Sequence, residues 1–367
     1  MESFVADPIE SSSVLSNKEK SIINWKQVGS FIGLTFGLTW ALNLVIYLNG
    51  GLNNPSVVIS LQFQMLLPAF SAMVLGMFFF KDSPIYYKTN HTTSRWFIWY
   101  FILFTLMYLA IFVATLLNPS LLLSLNTLLL LPGIIGLVLL IVLRLVGGKE
   151  SFSSVNMAGG KAKYWLIFGL GILVYTGLQT VLSWLFKMGT PVDLSMLQTQ
   201  ASMSGMSFPV FMIIVAAQTV ILGPFLGLVV TFGEEYGWRG YLQSALIKIG
   251  KIKGLILVGI IWGIWHMPVI LMGYNYPSHP ILGSFLFILY CVGLAFILGY
   301  AVLKTKAVWL AAFLHALFNQ SLSYFMGIFY TPTDTANSFG IGWPSIIVLL
   351  LLTLLILRDP VWKETED

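Results

Sequence analysis

The sequence predicts an all-α fold, a polytopic transmembrane helix bundle, on three observations. Of the 367 residues, 57% are hydrophobic and 9% charged, whereas soluble domains carry roughly 25% charged residues. Apolar runs of about 20 residues, long enough to cross a bilayer as helices, recur along the whole chain. Lysine and arginine fall in alternate connecting segments, the pattern of basic cytosolic loops.

The apolar runs place spans at 28–48, 57–80, 95–117, 123–146, 164–186, 208–247, 254–273, 281–303, 307–327 and 341–357. The sixth run is too long for one straight crossing. Pro224 is its expected kink, because proline removes a helix hydrogen bond. The span carrying Glu234 then runs from about Pro224 to Ile247, with 208–223 as a kinked extension, a half-span or an interfacial segment. About ten crossings with both termini cytosolic result. Lys18, Lys20 and Lys26 precede the first span, and Lys81, Lys88 and Arg95 follow the second. Arg144, Lys149, Lys161 and Lys163 follow the fourth, and Lys248, Lys251 and Lys253 the sixth. Lys304 and Lys306 follow the eighth, and Arg358 and Lys363 the tenth, while the alternate loops hold only Lys187. Topology therefore accounts for the net charge of +5, and no nucleic-acid partner is expected.

Residues 1–27 are polar and of mixed charge, with a Ser11-Ser12-Ser13 run and no short apolar core ahead of a small-residue cleavage site. They read as a flexible cytosolic tail without a cleaved signal peptide. Residues 28–204 then form N-terminal transmembrane helices, 205–330 a chemically distinct core, and 331–367 the last helix and cytosolic C-terminus. The single cysteine, Cys291, permits no intramolecular disulfide and joins no metal-ligand cluster.

Three polar patterns interrupt the apolar helices, all between 234 and 319: Glu234-Glu235-x-x-x-Arg239, Trp262-x-x-x-His266 and His315-x-x-x-Asn319. Ionisable groups are costly in a bilayer, so each is a functional-site hypothesis by default. Their depths agree. Glu234 lies fourteen residues before Lys248, about 21 Å along a helix. His266 lies about 18 Å beyond Gly254, and His315 and Asn319 about 14 and 20 Å beyond Lys306.

Glu234 and Glu235 point about 100° apart on a helix and cannot readily share a role. Glu235 and Arg239 have the spacing of an ion pair, a structural compensation for charge. Glu234 is left to face a cavity, where it suits general-base work. Trp262 is placed to stack beneath the His266 imidazole. His315 and Asn319 share a face and suit stabilisation of an oxyanion. The competing readings are a solvated acidic–basic patch for the first pattern, a hydrogen-bonded core histidine for the second and interhelical glue for the third. Two histidines and a glutamate can also bind zinc, but the His-Glu-x-x-His helix is absent. A metal-free site is expected, with zinc as the lesser alternative.

At these residues the sequence resembles the CAAX prenyl protease and bacteriocin-processing (CPBP) family, the type II CAAX endopeptidase-like intramembrane proteases. The resemblance covers roughly residues 205–330. The first and third motifs match the family pattern, whereas Trp262 stands where phenylalanine is usual. The resemblance implies a glutamate-dependent protease in which Glu234 and His266 activate water and His315 and Asn319 hold the oxyanion. Glu235 and Arg239 would support the site. The expected substrate is a membrane-associated peptide or protein reached from the cytosolic side, and the expected location is a multi-pass position in a bacterial plasma membrane. Two readings from other classes stand beside this one. One is a proton-coupled transporter, which would commonly show internal repeats and paired broken helices. The other is a non-catalytic immunity or partner protein, which needs no water-activating pair.

Overall fold

The computed structural model describes residues 23–364 of the chain. The predicted tail over residues 1–22 and the last three residues lie outside the described residues. The first helix, α1 (Trp25–Leu48), takes in the end of the predicted tail, because the Asn24 side chain accepts from the backbone N–H of Gln27 and caps it. The next are α2 (Val57–Phe78), α3 (Ser94–Leu117), α4 (Leu130–Gly147) and α5 (Ala162–Leu185). After these come α6 (Phe208–Ala216), α7 (Leu228–Glu235) and α8 (Lys251–Trp265). The last three are α9 (Pro280–Thr305), α10 (Val308–Ile328) and α11 (Trp343–Ile356).

Among the described residues, seven helical stretches are long and apolar enough to cross a membrane, including α1, α2, α3, α5 and α9. The remaining predicted spans correspond to α7 and its continuation, α8, α10 and α11. The outward faces are apolar: Leu145 and Val146 on α4, and Leu350, Leu351, Leu354 and Leu355 on α11, are all exposed. Soluble monomers rarely expose contiguous apolar surface on this scale. Lipid contact accommodates it, with backbone polar groups satisfied inside each helix.

The sixth run differs from expectation in its break point. Phe208–Leu226 is a helical stretch in its own right, widened to a π-helix over Ala217–Leu222. Pro224 sits in the first turn of the segment that follows, where a missing N–H does little harm. The chain instead breaks at Gly227 and resumes as α7, which widens to a second π-helix over Tyr236–Gln243.

Contacts between loops divide the bundle into two ends. At one end Lys304 pairs with Asp359 at 2.7 Å, Lys251 donates to the carbonyl of Val361, and Gln27 donates to Asp82. The Lys304 ammonium holds the Asp359 carboxyl below the usual carboxylate range. At the other end β1 (Gly189–Pro191) pairs antiparallel with β2 (Tyr330–Pro332), a feature with no evident sequence signal. His279 meets Asp334 there, and the Tyr276 hydroxyl donates to the carbonyl of Ile341. Each of these links joins loops of the same parity in the ten-span reading. The first end carries the lysine-rich loops; the second has Lys187 alone.

Two glycine pairs bring the site helices close to their neighbours. A Cβ on Gly233 would lie 2.5 Å from the Met65 carbonyl oxygen, and one on Gly237 2.4 Å from Pro68 Cβ, both on α2. Gly259 and Gly263 of α8 approach Val292 and Ile288 of α9 in the same way. Small residues four apart let membrane helices meet backbone to backbone. Glu234 and Trp262 each lie between the members of such a pair, so both are carried on closely seated backbone. Gly237→Ala is expected to destabilise the protein by about 1–3 kcal/mol, because the added methyl meets α2 backbone. A lower melting temperature in detergent would show it, and an unchanged one would refute the close seating.

Candidate active site

Glu234 and Glu235 end α7 and are both buried, at 2% and 0% exposure. Their adjacency sends them to different partners. Glu235 Oε1 accepts from Arg239 Nη1 at 3.0 Å and from His315 Nδ1 at 2.8 Å. The expected pair with Arg239 is therefore present, and it also holds His315. Glu234 Oε2 accepts from the indole N–H of Trp262 at 2.7 Å.

Trp262 does not lie beneath His266 as expected. The two ring centroids are 6.0 Å apart and tilted by 58°. The rings packed against His266 are Trp265, at 4.5 Å, and Phe287, at 4.9 Å. The reason is a tightened turn at the end of α8, where the His266 backbone N–H reaches Gly263 O. The Trp262 carbonyl accepts from His266 Nδ1 at 2.9 Å. Since a carbonyl only accepts, Nδ1 carries the proton and Nε2 is left for chemistry. By the same logic His315 donates from Nδ1 to Glu235 and has Nε2 left. The Trp262 ring is instead covered by the Arg239 guanidinium, 4.2 Å from its centroid.

A cavity of about 270 Å³ is lined by Glu234, Trp262, His266, His315 and Asn319. The structure thus brings together the four candidate reactive residues and Trp262. Glu235 and Arg239 stand behind this wall, with no exposed surface. Asn319 is exposed on the cavity side of α10, one turn after His315. Among the described residues, no three His, Cys, Asp or Glu side chains gather as a metal site.

Sequence reasoning missed Gln64, Tyr274, Asn275 and Tyr290, which also line the cavity. Gln64 had a signal: it is an amide in the middle of an apolar run, buried at 3% exposure. The loop residues on the cavity come from one end of the bundle. Tyr274, Asn275 and Ile341 belong to loops at the lysine-poor end, and Ser323, also on the cavity, is exposed. Toward the lysine-rich end every residue from Thr231 to Gly240 is buried.

Trp262→Phe retains an aromatic ring but removes the donor to Glu234. A hydrogen bond to a charged group is worth about 1.5–3 kcal/mol, so turnover is expected to fall roughly 10- to 100-fold. Little change in KM is expected. Unaltered turnover would remove Trp262 from the role of holding Glu234.

Comparison with known proteins places residues 216–321 under the family model described as "Type II CAAX prenyl endopeptidase Rce1-like". This stretch contains all three motifs. A "CAAX prenyl protease 2" of Methanococcus maripaludis is 34% identical over 101 residues, covering 26% of this chain and 37% of the relative. The match therefore spans little over a third of that relative's length. No solved structure matches the chain.

Proposed function

We propose, from the match of residues 216–321 to the family model described as type II CAAX prenyl endopeptidase Rce1-like, that this protein is an intramembrane glutamate-dependent endopeptidase. One observation carries the reading: Glu234, His266, His315 and Asn319, drawn from three separate helical segments, face one cavity. Glu234 Oε2 is engaged by Trp262, which leaves Oε1 to take a proton from water. His266 Nε2 orients the same water. The water oxygen attacks the peptide carbonyl carbon, and charge develops on the carbonyl oxygen. His315 Nε2, in the doubly protonated ring, and the Asn319 amide donate to that oxygen. The proton held by Glu234 then passes to the amide nitrogen as the C–N bond breaks, releasing an amine and a carboxylic acid; the acid's proton passes to the amine, giving an ammonium and a carboxylate.

The substrate is a membrane-associated peptide or protein, and the reaction is metal-independent in this reading. Comparing membrane and released peptides from cells carrying the parent protein or Glu234→Ala, at matched protein levels, tests it. New peptide termini present only with the parent are expected, and they persist in the presence of chelators. Identical profiles from well-folded proteins would sink the protease assignment in favour of an immunity or transport role. Loss on chelation with recovery on zinc would move the chemistry to a metal.

A further inference from the structure

Two cavities stand back to back across a partition made of Glu235, Arg239 and Trp262. The cavity toward the lysine-rich end is about 240 Å³ and is lined by Asn156, Arg239, Gln243 and Lys306 among others. None of Glu234, His266, His315 or Asn319 lines it. It stops at Arg239, which is fully buried under Trp262. Beside it the packing is closed by Phe232, Trp238 and Trp309, each at most 2% exposed. The reactive groups face the other cavity, whose rim includes Tyr274, Asn275, Ser323 and Ile341.

Helix direction fixes which end that rim is. From Lys251, α8 and its continuation to Leu271 rise about 30 Å before reaching Tyr274. From Val308, α10 rises about 22 Å to Ser323. The rim lies at the lysine-poor end, which the distribution of basic loops assigns to the extracytoplasmic face.

We infer that the site takes peptide bonds presented at the extracytoplasmic face, so that its substrates are exported or outward-facing membrane-anchored peptides rather than cytosolic protein tails. The rim suits such a ligand: Asn275, Asn319 and Ser323 offer polar contacts to an extended backbone, above aromatic walls at Phe287 and Phe318. The inference rests on the endopeptidase reading, but its geometry can be tested without activity.

The test is labelling with a membrane-impermeant maleimide in right-side-out and inside-out vesicles. Native Cys291 has no exposed surface, so the unsubstituted protein is the blank. Ser278→Cys reports the lysine-poor loops, Lys248→Cys the lysine-rich loops and Ser323→Cys the cavity wall. Ser278→Cys and Ser323→Cys are expected to label in right-side-out vesicles and to lose labelling in inside-out ones, with Lys248→Cys the reverse. Reversal of the Ser278 and Lys248 pattern would overturn the orientation. Labelling of Ser323→Cys with Lys248→Cys, or from neither side, would overturn the position of the cavity mouth. Glu234-dependent peptide production is measured separately, so a wrong sidedness and a wrong activity give different results.

Discussion

Glu234→Gln is expected to reduce peptide hydrolysis by about 10²–10⁴-fold, the range of general acid–base catalysis, while the protein folds as the parent does. The amide has the shape of the carboxylate and can still accept the 2.7 Å hydrogen bond from Trp262. It cannot take a proton from water at neutral pH. No ion pair is broken, because Glu235 rather than Glu234 holds Arg239 and His315. Turnover on an identified substrate should collapse while circular dichroism and melting temperature stay close to the parent. A folded Glu234→Gln protein with substantial turnover would remove Glu234 from the proton-transfer role.

Arg239→Ala is expected to be the most destabilising single change at the site. Removing one partner of a buried ion pair typically costs about 3–5 kcal/mol, because the other charge stays buried. Here Glu235 would lose its 3.0 Å partner and Trp262 the cation over its ring. Lower yield, a depressed melting temperature and lost activity should appear together. A double variant, Glu235→Gln with Arg239→Met, removes both charges and should recover much of the stability. Activity should stay low, since His315 then lacks its carboxylate. A stable, fully active Arg239→Ala protein would show that the pair is dispensable.

The helical class and the meeting of the three polar patterns were readable because each rests on a local, strong signal. Span length follows from bilayer thickness, and four-residue spacing places Glu235 with Arg239. What escaped the sequence depends on neighbours distant along the chain. Trp262 reads equally well as a platform for His266 or as a donor to Glu234. The choice is made by the tightened turn at His266 and by Gly233 and Gly237 seating α7 and its continuation on α2. The break at Gly227 was masked by Pro224, whose effect depends on where in a helical segment it falls. Gln64 gives the weaker signal in the sequence because an uncharged amide costs less in a bilayer than an acid does. Depths of about 14–21 Å from the lysine-rich face put these residues near the middle of a roughly 30 Å hydrocarbon core, so depth alone does not say from which side they are reached.

The widened helix over Tyr236–Gln243 has a consequence for how this motif tolerates changes in length. A π turn holds about one more residue than α-helical winding of the same rise, so it behaves as a resident insertion. Deleting one residue inside it is expected to relax the winding to α while the flanking segments keep their places, so that Glu234 still faces the cavity. A second deletion has no extra residue to draw on and would turn Glu234 by about 100° relative to the helix that follows. The spacing of the motif is thus a phase setting, and residue identities alone do not convey it.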